Sequence, residues 1–136
     1  MGYTLLGHTA DIAVEATGET VESIFAALGD GLAAAQCDEI PSIGSRFEVT
    51  VVAESIEALL FDYLDELIYQ RDVRAVLPTE NRVTIAQTNG DYVLEGSARG
   101  VPLGEINARE IKAVTYSEMV IQQSNGEWYG YVVFDV

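Results

Sequence analysis

The feature that most constrains this fold is a change of hydrophobic period near residue 70. Ile56, Leu59, Leu60, Tyr63, Leu64, Leu67 and Ile68 recur at steps of three and four, which predicts one apolar face on a helix running to about residue 70. Ser55 is a suitable N-cap, and Glu57 falls in the first turn, where the helix dipole favours an acid. Beyond that point the period drops to two. Val83 and Ile85 alternate ahead of Asn89-Gly90, and Tyr92 to Leu94 resume behind it. Ala113 to Ile121 is rich in β-formers, with Val114, Tyr116 and Val120; Asn125-Gly126 follows, then Trp128 to Phe134. Asn-Gly between two such runs supplies the left-handed dihedrals that a tight hairpin needs. The second half is therefore predicted to be antiparallel hairpins.

The first half adds a second helix and two strands. Ile12, Val14 and Ala16 alternate over residues 11–17, and Gly18 ends the run. Thr20 is the next N-cap, followed by Val21, Ile24, Phe25, Leu28 and Leu32 on one helical face. Gly29 and Gly31 would weaken that helix by about 1 kcal/mol each relative to Ala. Phe47, Val49 and Val51 alternate over residues 46–53. The three prolines, Pro41, Pro78 and Pro102, fall in expected loops. Strand–helix–strand–helix followed by hairpins argues an α+β fold. It would be a single domain over residues 1–136, mostly antiparallel β-sheet, with two helices packed on one side. The 136 residues, 49% apolar, suffice for one core.

Charge removes several function classes. Twenty-two acids oppose seven bases, a net charge of −15. Thirteen of the acids and only Arg46 among the bases lie in residues 1–68. Strong direct binding to nucleic acid is not expected, because phosphate neutralisation needs clustered Lys and Arg. No apolar run approaches the ~18 residues of a bilayer span. The N-terminal stretch lacks the basic flank and apolar core of a signal peptide, so a cytoplasmic protein is expected. One cysteine, Cys37, and one histidine, His8, leave little for a zinc site or a Ser-His-Asp triad. Cys37 is expected to pack at a helix end.

Most acids fall on expected solvated faces, including Glu57, Asp62, Asp65 and Glu66. Two stand apart. Asp11 opens the first alternating strand, and Asp135 closes the most apolar one, beside Val136. If those strands pair in register, the carboxylates approach and repel, and a bridging cation relieves the repulsion. A hard divalent ion takes carboxylate and carbonyl oxygens, and the carboxylate or carbonyl of Val136 would add one. The bland alternative is a turn-capping Asp11 and a solvated Asp135. His8 has three open roles: general base, ligand, or a buried hydrogen-bonding residue, the last being favoured. Lys112, the sole lysine, is either a surface residue offsetting Glu110 or a polar tip offered to a partner. Trp128, Tyr129 and Tyr131 lack interleaved bases and read as core and sheet-face residues.

Four stretches, in order, resemble the archease family. They are His8-Thr9-Ala10-Asp11-Ile12, the run from Leu59 to Tyr69, Glu110-Ile111-Lys112-Ala113-Val114-Thr115-Tyr116, and the ending Val133-Phe134-Asp135-Val136 preceded by Trp128. The resemblance implies a small cytosolic accessory protein of the RtcB-type tRNA-splicing RNA ligase. Such a protein is not itself an enzyme; it promotes guanylylation of a ligase histidine and repeated turnover. The resemblance further implies a divalent-cation site, calcium in the family, at Asp11, Asp135 and Val136. Lys112 is carried over as a residue needed for activation, and His8 joins it as a partner-contact candidate. One position departs: many members carry His after the Val-Thr-Tyr stretch, where this chain has Ser117. The competing class is a small metal-dependent phosphoester hydrolase centred on Asp11 and Asp135.

Overall fold

A computed structural model describes residues Gly2–Gly7 and Asp11–Val136. In chain order the elements are β1 (Gly2–Gly7), β2 (Asp11–Gly18), α1 (Val21–Gln36), β3 (Ser45–Ala53), α2 (Ile56–Arg74), β4 (Val76–Thr88), β5 (Asp91–Pro102), a short 3-10 turn (Leu103–Glu105), β6 (Ala113–Ser124) and β7 (Glu127–Asp135). The local signals act as expected. Thr20 Oγ1 accepts the Ser23 amide at 3.1 Å, and Ser23 Oγ answers the Thr20 amide at 3.4 Å, a reciprocal capping box. Ser55 Oγ accepts the Ala58 amide at 3.1 Å. Asn89 and Gly90 both have positive φ (53° and 87°), as do Asn125 and Gly126 (55° and 78°), the pattern of a type I′ hairpin turn.

The antiparallel strands divide into two sheets rather than one. The first has the order β1-β2-β7-β6 and joins the two ends of the chain; the second has the order β3-β5-β4. Each helix touches both sheets: α1 packs on β1, β2, β7 and β4, and α2 on β6, β3, β4 and β5. The α+β class with two helices therefore holds, and each sheet offers one face to the helix pair. On β3 the alternation is direct, with Phe47, Val49, Val51 and Ala53 inward and Glu48, Thr50 and Val52 outward. A helix with sheets on two sides needs a wide apolar surface, and no residue of α1 is exposed. Leu59, Leu60, Leu64 and Leu67 of α2 are at most 1% exposed, each contributing about 1.5–3 kcal/mol of transfer free energy before entropy. Glu57, Asp62 and Asp65 face solvent, as their spacing implies.

Three local expectations need correction. β1 carries no strong sequence signal; it is a six-residue edge strand with Tyr3 and Leu5 exposed. Pro78 lies inside β4 and Pro102 ends β5, instead of in loops. β4 is an edge strand, where a missing amide donor is tolerated, and a bulge follows between Thr79 and Arg82. Gly29 and Gly31 weaken α1 as an isolated helix, yet they permit its packing. A Cβ at Gly31 would overlap Cγ1 of Val14, and one at Gly29 would stand 3.0 Å from Asn81 and from the Tyr63 hydroxyl. Cys37 caps the end of α1, buried with Ala33, Leu77 and Val101, as expected of a packing residue.

Candidate functional site

The register of the first sheet brings the two singled-out aspartates together. β2 and β7 run antiparallel with Asp11 directly opposite Asp135, followed by Ile12 opposite Phe134 and Val14 opposite Val132. On the other side of β7, Ala113 is also opposite Asp135, so Asp11, Asp135 and Ala113 form one row across three strands. Directly opposed residues carry Cβ atoms about 4.5–5.5 Å apart on the same face. The row is held from inside, because the next residues along, Phe134 and Val114, are buried in the core. Asp11 is half-buried, and Asp135 and Val136 are exposed.

Lys112 stands at the same end. Its amide donates to the Asp135 carbonyl at 2.8 Å, one residue before β6 begins. Its side chain is exposed and forms no ion pair among the described residues, including with Glu110. Neither the Asp11 nor the Asp135 carboxylate has a hydrogen bond or ion pair with another described residue. His8 lies outside the described residues.

The donor set can be tested against a cation. Among the described residues, no three His, Cys, Asp or Glu side chains gather as a metal cluster. The row offers two carboxylates without a partner among the described residues, and Val136 adds a main-chain carbonyl, all hard oxygen donors. That set suits a calcium-like ion better than zinc, which draws on Cys and His. It is also fewer than the 6–8 oxygens calcium takes, so water or a partner would complete the shell.

The same outer face continues inward. Glu15 lies two residues along β2 from the buried Ala13, opposite Tyr131, and accepts a hydrogen bond from the Tyr129 hydroxyl at 2.9 Å. Desolvation, then the bond to Glu15, push the Tyr129 hydroxyl up to about 12. Tyr131 is raised by desolvation and by the charges of Glu118 and Glu15.

Comparison with known proteins settles the lineage. Residues 3–136 match the Archease protein family (MTH1598/TM1083). The chain belongs to the archease family. A relative from Pyrococcus furiosus, called Protein archease, is 33% identical over 138 residues, covering 95% of this chain and 94% of its own. Another of that name, from Methanosarcina mazei, is 35% identical over 140 residues, covering 98% and 95%. The solution structure of Methanobacterium thermoautotrophicum protein 1598 superposes with a TM-score of 0.84 at 26% identity, over 99% of each chain. A Thermotoga maritima archease, described as a possible chaperone, shares the fold with a TM-score of 0.64 at 21% identity, over 96% of this chain and 94% of its own.

In this archease, Ser117 lies in a bulge of β6 between Thr115 and Val120, where Glu118 takes a positive φ of 63°. Ser117, where the resemblance leads one to expect His, is thus outside the row of Asp11, Asp135 and Ala113. Arg71 went unnoticed in the sequence. It is 5% exposed, and its Nη1 donates to Gln36 Oε1 and to the Ile111 carbonyl, both at 2.8 Å. The signal was available: Arg71 continues the three-and-four spacing of Leu60, Leu64 and Leu67 onto the buried stripe.

Proposed function

We propose that this archease is a cytoplasmic accessory protein of an RtcB-type tRNA-splicing RNA ligase, promoting ligase guanylylation and multiple turnover, with a divalent cation, calcium, held at Asp11, Asp135 and Val136. The observation that carries the reading is the cross-strand pairing of Asp11 with Asp135, with Lys112 bonded to the same residue's carbonyl. Two carboxylates with no partner among the described residues repel each other, and a bound cation would turn that repulsion into attraction. A divalent ion there would supply charge and open coordination positions for a partner's oxygen donors. Asp11 and Asp135 fix where that charge sits. The exposed Lys112 offers a donor to an anionic or carbonyl group of the ligase. A chain of net charge −15 is drawn toward an electropositive surface, such as a site that handles nucleotide and RNA ends.

The test is single-turnover guanylylation of the cognate ligase with and without this protein. The wild type is expected to accelerate the step. Asp11→Ala should remain folded, give no calorimetric signal with calcium and leave the ligase at its unassisted rate. Full stimulation by a folded Asp11→Ala would overturn the cation reading. Absence of stimulation by the wild type would overturn the activator reading. Hydrolysis of phosphoesters by the protein alone in magnesium or calcium would favour the hydrolase.

A further inference from the structure

The segment from Leu103 to Lys112 joins β5 to β6 and, past its short 3-10 turn, has no secondary structure of its own. Its position is nevertheless fixed. The Leu103 amide donates to the Ala75 carbonyl at 3.0 Å, the Arg109 amide to the Gln36 carbonyl at 2.7 Å, and the Lys112 amide to the Asp135 carbonyl at 2.8 Å. Ile111 is fully buried, which sinks its own carbonyl into the protein. Arg71 answers that carbonyl. From α2 it reaches Ile111 and the Gln36 side chain together, and Gln36 Nε2 in turn donates to the Leu32 carbonyl at 3.1 Å. One guanidinium thus ties α1, α2 and the connecting segment at the residue before Lys112. Its carboxylate partner, Asp72 at 3.0 Å, has a side chain 62% exposed, so the buried end of Arg71 is spent on the two neutral oxygens.

We propose that Arg71 is a positioning residue: through Ile111 it sets where Lys112 stands relative to the Asp11–Asp135 row. The proposal rests on the reading of Lys112 as an activation residue. A buried guanidinium that spends one bond on a carbonyl, one residue from an exposed lysine with no ion pair among the described residues, is a costly arrangement for a loop. An apolar side chain would anchor α2 as well, but it would leave the Ile111 and Gln36 oxygens without their donor.

The experiment uses the full chain and two readouts. Amide hydrogen exchange in Arg71→Met is compared at Lys112 and at the helix-interior references Leu28 and Leu64. The Lys112 amide should exchange at least tenfold faster, beyond any acceleration shared by the references. Stimulation of ligase guanylylation, measured where the variant is fully folded, should fall at least fivefold. If Arg71→Met does not fold, Gln36→Met removes one branch of the tie, and a smaller acceleration at Lys112 is expected. An unchanged ratio of Lys112 to reference exchange overturns the proposal, as does full stimulation despite accelerated Lys112 exchange. If the wild-type protein fails to stimulate the ligase, the activator reading falls, while the exchange ratio still decides whether Arg71 holds Lys112.

Discussion

The exposed end of the first sheet and the bulge of the second treat charge in opposite ways. At the bulge Glu80, Arg99, Arg46 and Asn81 each have partners inside the molecule. Glu80 takes Arg99 Nε at 3.2 Å and Nη2 at 2.9 Å, while Arg99 Nη1 donates to the carbonyls of Pro41 and Ile43. Arg46 donates to the Glu80 carbonyl at 2.7 Å and to Ser97 Oγ at 2.8 Å. Deeper in, Asp30 Oδ1 accepts the amide and side-chain nitrogens of Asn81 at 2.9 and 2.8 Å, and the Tyr63 hydroxyl donates to Asn81 Oδ1 at 2.9 Å. The row at Asp11 and Asp135 has no such closure among the described residues. Polar groups that satisfy each other hold a fold together; polar groups left open are available to something outside it. The bulge is scaffold, and the row is where an external ion or protein has something to gain.

This contrast breaks if the two regions respond alike to substitution. The largest stability loss is expected at the bulge. Asn81→Ala removes the acceptor of the fully buried Tyr63 hydroxyl and the side-chain donor to Asp30, leaving that carboxylate only the residue-81 backbone amide, which should cost about 3 kcal/mol. Urea denaturation reads that cost, and ligase stimulation below the variant's melting range should persist. A loss under about 1 kcal/mol would show that the network is no scaffold. The next effect in size is on the outer face beside the row. Tyr129→Phe loses the bond to Glu15 and should cost about 1 kcal/mol. Because the folded state raises Tyr129 to about 12, its contribution is complete below the ordinary value of 10.0 and is lost as pH rises through about 12. Alkaline spectrophotometric titration should show one late-ionising tyrosine fewer in the variant.

Asp11→Asn is expected to do the reverse of Asn81→Ala. It should change stability in metal-free buffer by no more than about 0.5 kcal/mol while abolishing the calcium signal. A large stability loss would mean that Asp11 belongs to the scaffold after all.

Much of this was legible in the sequence because it is local. Thr20 and Ser55 cap helices through side chains three residues from their partners, and the Asn-Gly turns need only their own dihedrals. The meeting of Asp11 with Asp135 could be posed only conditionally, because a pairing across 124 residues depends on strand order. The split into two sheets was not legible, since alternation says which face of a strand is apolar and not which strand lies beside it. Gly31 misled for the same reason. Its propensity cost is local, whereas its benefit is the space taken by Val14 of a different strand. Arg71 was hidden by its charge: the stripe places it inside, but only the Ile111 carbonyl and Gln36 explain why a cation is there.

A pH series gives the sharpest view of the bulge. Asp30 has its carboxyl raised above the ordinary 3.8, first by desolvation, with the Glu80 charge adding to it and the Asn81 bonds opposing. The fold therefore prefers this carboxyl protonated. Its favourable contribution is complete below 3.8 and declines as pH rises through the raised folded value, opposite to a salt-bridged aspartate. Asp30→Asn keeps an oxygen to accept from Asn81 and removes the charge whose desolvation dominates. The variant should match the wild type within about 1 kcal/mol at pH 7. The stability difference should shift in its favour between acid and neutral pH, as the wild type alone bears the ionised, partly buried carboxylate. Chemical denaturation at a series of pH values reads that slope. A difference moving the other way would mean that the ionised Asp30 is bound more tightly by Asn81 than it is penalised by burial. The bulge would then depend on a charge, the role proposed for the row at Asp11 and Asp135.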